Sequence, residues 1–407
     1  MTIPSMTDPD VSNLMTVERA MAIIDSAAVA PRAEQVPLAQ SIGLYLAEDL
    51  RNDRDAPPFD KSLMDGYAVK ARDIAAVPCE LAVIDRIAAG GAAASPLAQG
   101  QAMAIMTGAP IPPGADAVVP VEHTQTISTS NRIVVLQSVS PGRFIAARGS
   151  DSPAGSLVLK SGTRLGPAQI AVAAGVGAVN LPVHAPPSIA VLGTGDELVA
   201  PQQTPAANQI RSCNNPMLLA LLERYPSRTT DLGIVTDNPA AIEEKITSGL
   251  AHDVLLITGG MSMGERDFVP GILRRLRGDL KITKLRIKPG KPFVFAQMPG
   301  GKFVFGLPGN PVSAFVCTVC LVSRLLMRMA GGPAAEPTRI APLAQPLEAS
   351  GPRTFYQPAI FDGRALGPLQ WKGSADIFTL SRANSLLVRP ENQPPQPAGA
   401  VIEFVEI

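Results

Sequence analysis

Histidine is nearly absent: 3 residues in 407. They are His123, His184 and His252, and none falls in the glycine-rich segments described below. No Ser–His–Asp arrangement is present, so chemistry through a histidine-activated protein nucleophile is not expected. Cysteine is scarce, with 4 residues. Cys317 and Cys320 form a C-x-x-C, but it lies in an apolar helical stretch with no second pair to complete a zinc site, so both read as small core residues. An excess of either charge is missing, since Lys+Arg and Asp+Glu both number 35. That balance argues against a general nucleic-acid or membrane-surface binder. The run from Leu165 to Gly195 lacks charged residues, yet Pro and Gly interrupt it too often for a membrane span. The opening MTIPSMTDPD lacks a basic region followed by an apolar one, so a secretory signal is not expected, and a cytoplasmic protein with free thiols is. No G-x-G-x-x-G stands between a strand and a helix, which excludes a simple dinucleotide fold.

What remains is a chain with 46% hydrophobic and 17% charged residues, enough core for two to four domains. Thr16 is placed to cap a helix whose face carries Val17, Ala20, Met21 and Ile24. From Cys79 to Val139 short apolar runs broken by Gly and Pro indicate a small β-rich domain. Arg143, Arg148 and Asp151 sit in a polar loop that is either a solvated connection or a phosphate grip. Pro167–Gly175 reads as a helix. From Ser188 strands alternate with helices, which predicts a doubly wound, mainly parallel sheet. Three of these helices start at Asn-Pro (Asn215, Asn238, Asn310), suggesting one recurring capping device. Beyond Gly331-Gly332-Pro333, short alternating runs predict a second small β-barrel or sandwich, with Arg353, Ser374 and Arg382 as its polar candidates.

The organising stretch is Asp253 to Phe315. Val254–Thr258 is an apolar strand ending in Gly259-Gly260, after which Ser262, Glu265 and Asp267 supply a hydroxyl and two carboxylates. Lys288 and Lys291 flank a Pro-Gly turn, which makes their ammonium groups neighbours. Asn310-Pro311 opens a helix whose first N–H groups and dipole suit a phosphate. All three loops follow strands of one α/β unit, where ligands of open sheets gather. The expected site binds an anion and a divalent cation together.

These segments carry a family resemblance. MDGYAV at Met64–Val69, MTGAPIP at Met106–Pro112, GTGDEL at Gly193–Leu198, TGGMSMGERDF at Thr258–Phe268, KPGKPF at Lys288–Phe293 and LPGNPVSA at Leu307–Ala314 occur in this order. The chain resembles the molybdopterin molybdenumtransferase family, MoeA in bacteria and the E domain of plant and animal relatives including gephyrin. The resemblance implies a multidomain α/β fold in an elongated chain. Residues 1–50 with 144–180 would form a helical and extended linker domain. Residues 51–143 would be a small β-rich domain, 181–332 the molybdopterin-binding α/β domain, and 333–407 a C-terminal β-barrel.

The implied reaction takes adenylated molybdopterin and molybdate, cleaves the phosphoanhydride, releases AMP and leaves molybdenum on the pterin dithiolene, assisted by magnesium or another divalent cation. The resemblance gives Asp65, Glu197, Asp237 and Asp267 catalytic roles, the last three also as metal ligands. Lys288, Lys291, Ser262 and Pro292 match positions that hold molybdate, with Arg353 and Ser374 as further candidates. Gly259, Gly260, Pro308, Gly309, Asn310 and Pro311 would face the substrate, and Thr107 and Asp151 match functional positions of the N-terminal half. A homodimer is implied, its cleft completed by the second domain of the other subunit. Implied partners are the molybdopterin adenylyltransferase and proteins that deliver the cofactor to molybdoenzymes. Two positions depart from the family pattern. Ser212 stands in the segment where an Asp is common, and Gln357 where a second Arg often follows Arg353. Competing readings are a molybdopterin adenylyltransferase and a gephyrin-like scaffold.

Overall fold

A computed structural model describes residues 11–127, 130–261, 268–334 and 338–407. The chain divides into two units. The first comprises Met1–Val36, Ser41–Ala47 and Pro182–Ile407, and the second Pro37–Gln40 and Glu48–Leu181.

The first unit is built around a six-stranded sheet. Its strands are β1 (Ser188–Thr194), β2 (Arg228–Val235), β3 (Val254–Thr258), β4 (Asp279–Ile282), β5 (Val294–Met298) and β6 (Lys302–Leu307), in the order β2-β1-β3-β6-β5-β4. The β2, β1, β3 and β6 strands are mutually parallel, while β5 and β4 extend the sheet antiparallel. Every residue of β3 is buried, as expected of a parallel strand covered on both faces. Alternation distributes its side chains: Val254 and Leu256 enter one core cluster, Leu255 and Ile257 the other. Helices α1 (Asn214–Leu222) and α4 (Pro311–Met329) contribute to the first cluster. Helices α2 (Pro239–Gly249) and α3 (Val269–Arg275) contribute to the second. Each fully buried Leu, Ile or Phe in these layers contributes about 1.5–3 kcal/mol.

Helix α4 is long and apolar enough to cross a membrane by length and composition, but 78% of its apolar window is buried in this core. Cys317 and Cys320 are buried within it as free thiols, as the sequence indicates. Its Arg324 donates from Nε to Asp25 Oδ1 at 2.9 Å, and Arg328 donates to the carbonyls of Ile24 (3.1 Å) and Ala27 (2.9 Å). One turn apart on α4, the two guanidiniums hold the C-terminal end of the helix Val17–Asp25. That helix is capped by Thr16, whose Oγ1 accepts from Arg19 N–H at 3.3 Å.

The three Asn-Pro starts do not share one device. Asn238 caps α2, its Oδ1 accepting from Ala240 and Ala241 at 3.0 and 3.1 Å. Asn215 lies inside α1, buried, and donates to Asp231 Oδ1 (2.8 Å) and the Gly233 carbonyl (3.0 Å) on β2. Asn310 makes no capping bond, because its side chain is turned toward Ser374. An amide can satisfy a helix end or a neighbouring strand, and tertiary contacts choose between them.

The C-terminal segment adds strands Arg339–Pro342, Thr354–Phe361, Leu366–Pro368, Ser385–Arg389 and Val401–Glu406. An isolated bridge between Leu343 and Leu366 joins the far ends of this path, so the strands curl into a barrel around Leu347, Leu387 and Phe404. A sixth strand comes from far upstream in sequence: Ile287–Lys288 pairs parallel with Thr354–Phe355.

In the second unit, strands Gly66–Val69, Cys79–Ile87, Gln101–Ile105, Ala117–Pro120, Thr124–Ile127 and Arg132–Val135 form one mostly antiparallel sheet. Gly66 is the first residue of its strand. A Cβ there would lie 2.0 Å from the Val119 carbonyl oxygen, so only glycine permits this pairing. Helix Pro167–Gly175 forms as predicted.

Candidate active site

The carboxyl ends of β1, β2, β3 and β6 open into a cleft of about 860 Å³. Glu197 enters it after β1, Asp237 after β2, and Gly259 and Gly260 after β3. Pro308, Gly309, Asn310 and Pro311 enter after β6. Lys288, Lys291 and Pro292 come from the turn preceding β5, and Arg353 and Ser374 from the C-terminal barrel region. Thus, Arg382 excepted, every expected site residue of the first unit that the structure describes lines one cleft. Ser262, Glu265 and Asp267 lie outside the described residues.

Backbone packing fixes the loops. Gly259 has φ +88°, and a Cβ there would lie 2.4 Å from the Thr194 carbonyl oxygen, so the ends of β1 and β3 can approach only with glycine at this point. The Asp237 N–H donates to Asp196 Oδ1 at 3.0 Å, drawing the end of β2 toward the loop after β1. Asn214 Nδ2 donates to the Gly309 carbonyl at 2.7 Å, which ties the first turn of α1 to the loop after β6. Asn310 Nδ2 donates to Ser374 Oγ at 2.8 Å, and the Val312 N–H donates to the Ser374 carbonyl at 3.0 Å. The latter bond occupies one of the N–H groups that the sequence suggests for a phosphate. Lys288 Nζ lies 4.9 Å from the Phe355 ring centroid, and the Phe355 and Trp371 rings are 5.4 Å apart. Phe355 and Trp371 therefore give the lysine end of the cleft an aromatic backing.

The cleft joins opposite charges. Lys288, Lys291, Arg353 and Arg211 provide the cations, and Glu197 and Asp237 the acids. A tetrahedral dianion suits the former. Among the described residues no three His, Cys, Asp or Glu gather as a metal cluster. Two carboxylates beside a substrate phosphate are nevertheless what magnesium takes, since it keeps waters and seldom uses an all-protein cage. Cys213, half-buried in the cleft wall, has its thiol pushed up by burial and stays protonated near neutral pH.

Several lining residues escape sequence reasoning. Asn214 hides beside the expected cap, and Trp371 and Phe378 lie in turn-rich segments without periodicity. Ser212, at the position departing from the family pattern, is buried, and its Oγ has no hydrogen-bond partner among the described residues. Gln357 accepts from Arg389 Nη1 at 3.1 Å and donates to the Leu369 carbonyl at 3.1 Å. Arg382 does not line the cleft and donates to Thr379 Oγ1 at 3.2 Å.

Asp65, Thr107 and Asp151 belong to the second unit. Asp65 Oδ1 accepts from Thr107 N–H at 2.7 Å and from Thr107 Oγ1 at 2.8 Å. The backbone N–H of Thr107, then its hydroxyl, hold the Asp65 carboxyl below its ordinary range. Asp151 faces Lys61 Nζ at 3.9 Å. The polar loop is structural in its arginines: Arg148 pairs with Asp55 at 2.6 Å, and Arg143 lies 4.5 Å over the Phe144 ring.

Comparison with known proteins agrees with this architecture. Residues 15–177 match the MoeA N-terminal region (domain I and II), 190–328 a probable molybdopterin binding domain, and 340–407 the MoeA C-terminal region (domain IV). A molybdopterin molybdenumtransferase of Synechococcus elongatus is 39% identical over 306 residues, covering 72% of this chain and 75% of the relative. One from Staphylococcus epidermidis is 30% identical over 380 residues, covering 91% and 90%. The crystal structure of a molybdopterin biosynthesis moeA protein from Pyrococcus horikoshii superposes with a TM-score of 0.83 at 29% identity, covering 97% of this chain and all of that one. Fold and cleft thus define a multidomain transferase built on a molybdopterin-binding α/β layer. The chain belongs to the molybdopterin molybdenumtransferase family.

Proposed function

We propose that this protein inserts molybdenum into molybdopterin, taking molybdate and adenylated molybdopterin and releasing AMP as the phosphoanhydride is cleaved. One observation carries the reading: cations from the KPGKPF turn and the barrel share a single cleft with two carboxylates and the glycine-rich loops after β3 and β6. Lys288, Lys291 and Arg353 hold the oxyanion, with Ser374 as a hydroxyl donor and Pro292 shaping the turn. Gly259, Gly260 and the Pro308–Pro311 loop admit the phosphate end of the pterin substrate close to the backbone. Glu197 and Asp237, together with Asp267, would hold a magnesium ion, which offsets charge on the phosphates as AMP departs. Asp65, Thr107 and Asp151 are assigned to the same reaction by their match to functional positions of the family. We place the reaction in the cytoplasm and in a homodimer.

No protein nucleophile is needed, which accords with a cleft whose only thiol among the described lining residues is the raised, protonated Cys213. The test is Lys291→Ala. Molybdate-dependent AMP release from adenylated molybdopterin should fall by at least about a hundredfold, as when a transition-state cation is lost. An unchanged rate would remove Lys291 from the site.

A further inference from the structure

The proposed reaction makes no use of the C-x-x-C formed by Cys317 and Cys320, yet this motif lies against the lysine turn of the cleft. Cys317 is fully buried in α4 and Cys320 almost so. Directly after Cys317 the helix widens to i→i+5 bonding over Thr318–Val322, a local geometry frequent at functional sites. The Cys317 Sγ–H donates to the Gly290 carbonyl at 3.9 Å. Three residues on, Cys320 is hydrogen-bonded to Tyr356, the neighbour of Phe355 on the barrel strand.

The turn itself explains why a thiol matters there. Lys288 is exposed and Lys291 half-buried, but Pro289 and Gly290 between them are buried. A buried carbonyl needs a donor. Gly290 has φ +125°, and a Cβ at that position would lie 2.7 Å from Cys317 Sγ and 3.1 Å from Ile287 Cγ2. Glycine thus lets the turn settle onto the sulfur, but it leaves the following peptide without a side chain to restrain it. That peptide is a rigid plane, with the Gly290 carbonyl at one end and the Lys291 N–H at the other. A donor fixed to the carbonyl therefore sets the direction in which the chain enters Lys291. On the far side, the Lys291 carbonyl accepts from Leu285 N–H at 2.9 Å and from Phe293 N–H at 3.0 Å.

Burial, reinforced by Cys320, pushes the Cys317 thiol well above its ordinary range. It stays an S–H donor at neutral pH and is unsuited to act as a nucleophile or metal ligand, since both need the thiolate. A thiol is a weak donor. Its leverage here is reach, because a hydroxyl would need its acceptor at about 2.8 Å.

We infer that Cys317 is a positioning residue for Lys291: its thiol orients the Gly290–Lys291 peptide and so aims the ammonium group into the cleft. The contact rests on the geometry of the turn, and its consequence for molybdate rests on the function proposed above.

The test compares Cys317→Ser with Cys317→Ala in the full chain. Both leave the volume of the sulfur unfilled and they differ by one hydroxyl, so the packing loss is shared and the donor is isolated. In AMP-release assays Cys317→Ala should lower kcat/KM for molybdate by about tenfold, as a small displacement of a binding group does. The value for adenylated molybdopterin at saturating molybdate should stay within about twofold of wild type. Cys317→Ser should fall between wild type and Cys317→Ala, and calorimetric Kd values for molybdate should follow the same order. Infrared difference spectra between wild type and either variant isolate the Cys317 S–H band, which should lie below that of a thiol without an acceptor. Replacing Cys79, Cys213 and Cys320 in turn assigns the same band in a chain that keeps Cys317, should neither variant fold. A band at the unbonded position would overturn the contact. Equal losses in the serine and alanine variants, or losses shared equally by both substrates, would show packing alone and overturn the positioning role. Wild-type kinetics in the alanine variant would do the same. A shifted band with ordered molybdate affinities in a protein that releases no AMP would leave the positioning role standing and reject the proposed function.

Discussion

Asn310 Nδ2 donates to Ser374 Oγ at 2.8 Å, across 64 residues of sequence. Together with the bond from Val312 N–H to the Ser374 carbonyl at 3.0 Å, it fastens the segment that carries Ser374 to the first turn of α4. The glycine-rich loop after β6 and the cationic wall formed by Arg353 are thereby held in one cleft. Asn310→Ala should cost only about 0.5–1.5 kcal/mol of stability, because the bond is exposed. It should lower kcat/KM for AMP release by about tenfold or more, since a small displacement of a binding wall is costly to catalysis. Calorimetric Tm and steady-state kinetics on one preparation check both. A large fall in Tm with intact kinetics would show the contact to be structural only.

Asn214 is the least anticipated support of the site. Its 7% exposure and its 2.7 Å bond to the Gly309 carbonyl mean that Asn214→Ala removes the donor and leaves that carbonyl without this partner. The expected loss is about 1–3 kcal/mol. Asn214→Asp, which keeps the size but sets a carboxylate against a carbonyl, should destabilise more. Urea denaturation midpoints of the two variants give the order, and the reverse order would refute this account of the contact.

Asp253 anchors the opposite, amino-terminal edge of the sheet. Its carboxylate accepts from Ser188 N–H (2.9 Å) and Oγ (2.8 Å) at the start of β1, from Lys302 (3.3 Å) at the start of β6, and from Arg32 (2.8 Å). Burial pushes its pKa up, but the Ser188 bonds, Lys302 and Arg32 outweigh burial and the net direction is down. A lowered carboxyl pKa gives stability that is complete above the ordinary Asp value and is lost as pH falls through the lowered folded one. Asp253→Asn should therefore destabilise the first unit by about 2–4 kcal/mol at neutral pH, with the gap to wild type closing under acid conditions. Thermal melts across that range test the convergence. A gap independent of pH would show that the charge is not what matters.

Thr107→Val removes one of the two bonds that hold Asp65 ionised. The Asp65 carboxyl should titrate higher in the variant than in wild type, while the backbone bond from residue 107 keeps it below an unconstrained Asp. A carbon-detected NMR titration of the Asp65 carboxyl reads this directly. An unaltered titration would assign the shift to the backbone N–H alone.

The polar and apolar periodicities of this chain made much of the architecture readable. The apolar run Val254–Thr258 with its two glycines, and the Pro-started helices after Asn238 and Asn310, indicate a parallel sheet with its ligand edge at the strand ends. The cleft lies there. The same local reasoning fails at Asn215, whose amide serves β2 instead of a helix end. At Arg148 it leaves a solvated connection and a phosphate grip both open, and there the guanidinium pairs with Asp55. Nothing in a window of neighbouring residues records which distant group will arrive to compete for a donor.

The amino-acid order alone determined the elements, the layer type, the glycine turns and the family to which the motifs point. It does so because backbone propensity and side-chain alternation act over a few residues. Only tertiary structure decided that Ile287–Lys288 would leave the α/β segment to join the barrel sheet, and that Arg389 would stand beside Phe355 opposite Lys288. Those placements depend on ladder register between residues 67 and 34 positions apart in sequence, set by which hydrophobic faces can be buried together.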